Sequence, residues 1–157
     1  MPGSWTASRP YSRHAATTAP DEPATLLPMA TWEDVARIAL GLPETTEGTS
    51  YGSPAWTVKG KKFTWERPLR KADIAALGDA APEGAVLAVR VPDAGVKESL
   101  VATDPDVYFT TPHFDGYPII LVQLDRIPVP ELEELLVEAW LDQAPKRLAE
   151  EYLGETH

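Results

Sequence analysis

AWTVKGKKFTWERPLRK, residues 55–71, decides the fold: two short β-rich runs, AWTV and KFTW, flank the turn signal KGK. A two-residue turn over Gly60 and Lys61, with glycine in the first central position, sets Lys59 opposite Lys62, Val58 opposite Phe63, Thr57 opposite Thr64 and Trp56 opposite Trp65. Every pair matches in character. Alternation then sends Trp56, Val58, Phe63 and Trp65 to one face and the threonines and lysines to the other. The reading predicts an aromatic face packed inward and a basic face looking out. Like charges directly opposed disfavour a hairpin by about 0.2–1 kcal/mol unless solvent or an anion screens them, so the tip is a candidate anion contact.

Working outward, TWEDVARIAL carries Trp32, Val35, Ala36 and Ala39 at helical spacing, with Thr31 as N-cap, Glu33 and Asp34 in the first turn, and Gly41 and Pro43 as the stop. PETTEGTSYGSP, residues 43–54, reads as a turn-rich connection into the hairpin. Beyond Pro68, RKADIAALGD reads as a short helix with Gly78 near its end. AVLAVRV, residues 85–91, is apolar enough for a central strand. AGVKESLVAT, residues 94–103, suits a helix closed by Asp104 and Pro105, and VYFT and IILVQL read as strands around the loop TPHFDGYP. Leu132, Leu135, Leu136, Ala139 and Trp140 make a helical stripe opposite Glu131, Glu133, Glu134 and Glu138, and PKRLAEEYL starts a last helix at Pro145. The fold class is α+β: an antiparallel sheet of about five strands, with an N-terminal helix and C-terminal helices packed on it.

The 157 residues, 43% hydrophobic with five Trp, five Tyr and three Phe, suffice for one domain with a sizeable core over residues 29–157. Residues 1–28 hold five prolines and no apolar period, which predicts a disordered Pro-rich extension or a misassigned start upstream of Met29. The chain has no cysteine, which excludes disulfides, thiolate metal sites and a cysteine nucleophile. No run reaches the roughly 20 apolar residues of a membrane span, and residues 1–28 lack a secretory h-region. These features predict a soluble cytoplasmic protein without membrane contact, monomeric or weakly dimeric. A formal net charge of −10 opposes whole-molecule attraction to polyphosphate, so any nucleic-acid contact must rest on a local patch. Residues 59–71 supply one, with six Lys or Arg against Glu66; residues 131–157 carry eight acids against Lys146 and Arg147.

The candidate nucleic-acid or anion contacts are Lys59, Lys61, Lys62, Arg67, Arg70 and Lys71, although exposed lysines at a hairpin also protect a sheet edge and aid solubility. Trp56, Phe63 and Trp65 resemble a base-stacking set, but alternation places them in the core. His113, Asp115 and Tyr117 share one loop, where a His and a carboxylate form an acid–base pair or the aspartate simply braces a turn. Tyr51, preceded by Glu44 and Glu47, joins them as a candidate pocket residue between the first helix and the sheet, or else caps the core with its hydroxyl in water. Lys146 and Arg147 in a first helical turn oppose the macrodipole and point to an anionic partner. With only three histidines, two of them in the terminal segments, no metal-ligand spacing recurs, and neither metal nor cofactor is expected.

Four collinear stretches, TWEDVARIALGLPE, TSYGSPAWTVKGKKFTWERPLRKADIAALG, ATDPDVYFTTPHFDGYPIILVQL and ELEELLVEAWLDQAPKRLAEEYL, resemble the MmcQ/YjbR family over residues 30–153. The resemblance implies a frataxin-like α+β domain and DNA binding through a double-wing motif, with the hairpin at Gly60 as one wing. It implies no catalytic constellation. Where familiar members carry a Lys- and Asn-rich stretch with a Trp after the loop histidine, this chain has Phe114, Asp115, Gly116 and Tyr117, while RPLRKADIAALG adds Arg67, Arg70 and Lys71. Basic charge is relocated to the segment after the first wing. The expected function is thus a non-enzymatic binding domain for nucleic acid, or alternatively for a protein or small ligand.

Overall fold

The computed structural model describes residues 28–155. Residues 1–27 of the predicted extension lie outside them. Pro28, assigned to that extension, is tied to the domain: its carbonyl accepts the Val129 N–H at 3.1 Å, and Met29 bridges Pro128.

The first helix, α1 (Trp32–Leu40), starts where the sequence places it. Thr31 Oγ1 accepts the Asp34 N–H and the Asp34 carboxylate accepts the Thr31 N–H at 2.9 Å, closing a capping box. Six strands follow: β1 (Thr45–Ser50), β2 (Ser53–Val58), β3 (Lys61–Glu66), β4 (Val86–Arg90), β5 (Tyr108–Phe109) and β6 (Ile119–Gln123). They form one antiparallel sheet in the order β1-β2-β3-β4-β6-β5, with β4 in the middle as its apolar run predicts. The sixth strand is β1, read from sequence as connection. Its residues TTEGTS line an exposed edge and bury no alternating apolar set, so the periodicity that identifies strands is missing there. Four further helices complete the described residues: α2 (Lys71–Leu77), α3 (Ala94–Thr103), α4 (Val129–Gln143) and α5 (Lys146–Glu155).

The hairpin register differs from the predicted one. The two turn residues are Lys59 and Gly60, with φ of 50° and 85°, so glycine sits in the second central position of a type I′ turn and Val58 faces Lys61. The neighbouring pairs show where the chain compensates: Thr57 faces Lys62 and Trp56 faces Thr64, so Phe63 is an extra, unpaired residue on β3. This β-bulge turns Phe63 inward beside Trp56 and Val58, but past it the alternation of β3 is inverted relative to the sequence reading. Trp65 faces Ala55 and lies on the opposite side of the sheet from Trp56. Lys62 therefore shares a face with Trp65, not with Lys59.

The sheet consequently has two packed faces. One carries Trp56, Phe63, Leu87, Val89, Ile120 and Val122 against α1 and α4, whose buried stripe of Leu132, Leu135, Leu136, Ala139 and Trp140 is the predicted one. Trp140 is fully buried and donates its indole N–H to the Pro43 carbonyl at 3.0 Å, fixing α4 to the exit of α1. The other face is smaller: Ala55, Trp65, Val86, Ala88 and Leu121 are covered by Leu69 and Phe114 from two loops instead of a long helix. No helix among the described residues is long and apolar enough to cross a membrane.

On α4, burial opposes ionisation of Glu138 and the charge of Glu134 adds to it, pushing its pKa from 4.5 up to about 7. A carboxyl whose folded pKa exceeds its unfolded one favours the folded state while protonated, so its contribution falls as pH rises from 4.5 to about 7. Glu138→Gln is expected to remove that decline. Melting curves should show a Tm gain over the wild type at about pH 8 that shrinks towards zero near pH 4.5; an equal gain at both would assign the effect to packing.

A candidate cationic and aromatic site

The thinly covered face holds a concavity of about 410 Å³ where the β1–β2 turn, the end of β3, the start of α2 and the loop before β6 converge. Tyr51, Lys62, Trp65, Arg67, Arg70 and His113 line it, with Ser50, Ser53 and Glu66. The inverted half of β3 is what brings Trp65 beneath Lys62. Its Nζ lies over Trp65, 4.2 Å from the ring centroid, and donates to Ser50 Oγ at 2.9 Å. Burial holds its pKa below the usual lysine value, and among the described residues no carboxylate lies within ion-pair distance of it.

Tyr51 heads the β1–β2 turn and is 92% exposed, with φ of 53° followed by Gly52 at 84°. It sits on that turn, away from the predicted pocket between the first helix and the sheet, and it caps no core. The Arg70 guanidinium lies over its ring, 5.7 Å from the centroid. Arg70 is exposed at the N-cap of α2, held there because its backbone N–H donates to Asp73 Oδ2 at 2.9 Å. His113 is exposed and meets Phe114 edge-on at 4.8 Å.

Arg67 departs from the predicted set of open cations. It is 6% exposed, ion-paired to the equally buried Asp73 at 3.1 Å, bonded to the Pro68 carbonyl and stacked near Phe114 at 5.2 Å. Burial opposes ionisation of Asp73, but the Arg70 N–H and the Arg67 guanidinium outweigh it and hold the carboxyl below the ordinary aspartate pKa. The pair pins α2 and the loop beneath it, so Arg67 builds the site and Arg70 presents the free charge. Lys59 points elsewhere and pairs with Glu44 at 3.5 Å on the exposed hairpin tip. Lys61 and Lys71 are exposed, and neither lines the concavity.

The four candidate pocket residues divide between two places. Tyr51 and His113 line the concavity described, whereas Asp115 and Tyr117 line a second groove of about 630 Å³ beside α3, with Lys97, Val101 and Pro118. His113 and Asp115 thus face different cavities and make no acid–base pair. The reason is Lys97, which sequence reading passed over inside AGVKESLVAT: its Nζ donates to the carbonyls of Phe114 and Tyr117 at 2.8 and 2.9 Å. That clamp twists the loop so that Phe114 enters the core while Asp115 turns towards α3. The signal was the placement of Lys97 three residues before buried Leu100, on the inward stripe of its helix. Burial lowers the Lys97 pKa, and Asp115 pulls it back up. No group of His, Asp or Glu able to hold a metal occurs among the described residues.

Removing one partner of a buried ion pair leaves an uncompensated charge. Asp73→Ala is therefore expected to destabilise the domain by about 3–5 kcal/mol, while Lys61→Ala changes stability by less than about 0.5 kcal/mol. Urea melts of the two variants check this; a mild Asp73→Ala would mean that water reaches Arg67.

Comparison with known proteins places this arrangement. The YjbR family model matches residues 40–141. Uncharacterized proteins of Mycobacterium tuberculosis and Mycobacterium bovis are 54% identical over 131 residues, spanning 82% of this chain and 99% of theirs. The crystal structure of Deinococcus radiodurans protein DR2400, a DUF419 domain, is similar with a TM-score of 0.56 at 21% identity, covering 73% of this chain and 78% of that one, which shows a shared fold. With its six-stranded antiparallel sheet, its paired hairpins and this extent of match, the chain belongs to the YjbR family.

Proposed function

We infer that this domain is a non-catalytic binding module that holds nucleic acid at the concavity bordered by Tyr51, Lys62 and Arg70. The observation that carries the reading is the state of the two cations. Lys62 and Arg70 have no acidic ion-pair partner among the described residues, lie against aromatic rings, and border one concave surface on a chain of net charge −10. An acidic protein that keeps unneutralised cations beside aromatics presents contacts for both parts of a nucleic acid, cations for phosphate and aromatics for base. The basic stretch of the hairpin thereby divides by role: Lys59 is neutralised at the tip, Arg67 is structural, and Lys62 and Arg70 face the ligand.

A second reading, a small-ligand or protein adaptor without nucleic acid, is favoured by the groove beside α3, where apolar Val101, Ala102 and Pro118 surround Lys97 and Asp115. One experiment separates the two. In fluorescence anisotropy at low salt, labelled mixed-sequence oligonucleotides should bind at micromolar to tens of micromolar protein. One to two phosphate contacts at the two cations give a slope of log K against log salt of about −0.7 to −1.4 on single strands. The double variant Lys62→Glu/Arg70→Glu, with unchanged circular dichroism, should bind at least about tenfold more weakly. No binding of single strand or duplex by the wild type, or equal binding by the double variant, removes the nucleic-acid reading and leaves the adaptor.

A further inference from the structure

We propose that the concavity takes one unpaired nucleotide of a single strand, its base stacked on the open face of Tyr51 and its phosphate set between Lys62 and Arg70. This rests on the nucleic-acid reading and narrows it to a base-accessible ligand. Non-glycine residues rarely adopt left-handed backbone, and in a turn of this type the first position favours Asn, Asp or Gly, whose strain is least. Yet a tyrosine stands there at φ 53°, 92% exposed, with no packing return from the domain. Among the described residues two other non-glycine residues share that backbone region, Glu44 and Lys59, and these are ion-paired to each other at 3.5 Å. Tyr51, among the described residues, has only the Arg70 guanidinium over its ring. Strain held at an exposed aromatic without a structural gain points to a ligand.

The chemistry of the lining defines that ligand. The Arg70 guanidinium lies 5.7 Å from the centroid of the Tyr51 ring, whose exposure leaves a face for a planar π-system. Lys62, held over Trp65 and against Ser50, supplies a partly desolvated ammonium whose remaining donors suit a phosphate oxygen. Ser50 and Ser53 add hydroxyls, and Glu66 sets one negative charge against the two cations. About 410 Å³ is the scale of one nucleotide, too small for a duplex, whose bases are in any case stacked on one another and unable to meet Tyr51.

The test compares three labelled probes of equal length: a single strand, its duplex, and a single strand of abasic sites that keeps every phosphate. The wild type should bind the first about tenfold more tightly than the other two, the size of one base–aromatic stack. Tyr51→Asn should fold at least as well, because Asn tolerates the left-handed backbone, and yet bind the single strand no better than the abasic one. Tyr51→Phe should bind like the wild type. Equal binding of single strand and duplex, or full single-strand affinity in Tyr51→Asn, overturns the proposal while the nucleic-acid reading stands. Failure of all three probes to bind overturns both.

Discussion

One extra residue in β3 organises the molecule. Phe63 has no partner across the hairpin, and by absorbing one step of the pleat it places Trp56 and Trp65 on opposite sides of the sheet. Without the bulge, both tryptophans would crowd the face covered by α1 and α4, and the opposite face would lack its largest side chain. With it, one hairpin contributes an aromatic to each of two cores. The bulge carries Trp65 to the side on which Lys62 lies, where the Lys62 ammonium sits over its ring. The aromatic support of the site's cation and the packing of the second face thus follow from one backbone irregularity.

The second face is closed by chain that has little regular structure, and two buried charges fix it. Arg67 and Asp73 tie the start of α2 to the end of β3, and Lys97 gathers the carbonyls of the loop that carries His113. Each charge costs desolvation free energy, and each is compensated by specific partners, so the loops hold one arrangement instead of several. The result is a rim braced by buried charges around an open concavity. On that rim Arg70 and Tyr51, both exposed, sit against each other.

The helices and the apolar strands were legible in the sequence because burial imposes a period. Thr31 caps α1, Asp104 follows α3, and the Leu132 to Trp140 stripe packs as read. β1 was not legible, since an edge strand of Thr, Glu and Gly repeats nothing apolar. The hairpin register was misread for a definite reason: KGK accommodates glycine in either central turn position, and matching Trp with Trp and Lys with Lys favoured the wrong one. Bulges leave no compositional mark, so character matching across a hairpin fails where one occurs. Of the candidate site, the basic residue types were visible, but their division was not. Which of Lys59, Lys62, Arg67 and Arg70 is neutralised depends on Glu44 and Asp73, set beside them only by the fold.

The register is the claim on which both the fold and the site stand, and nuclear Overhauser contacts of the indole protons measure it directly. The bulged register predicts contacts from the Trp65 ring to Ala55 and Phe114, an upfield ring-current shift of the Lys62 ε-methylene, and none between the Trp56 and Trp65 rings. Strong contacts between the two indoles, with Lys62 at ordinary solvent-exposed shifts, would restore the unbulged pairing and contradict the account.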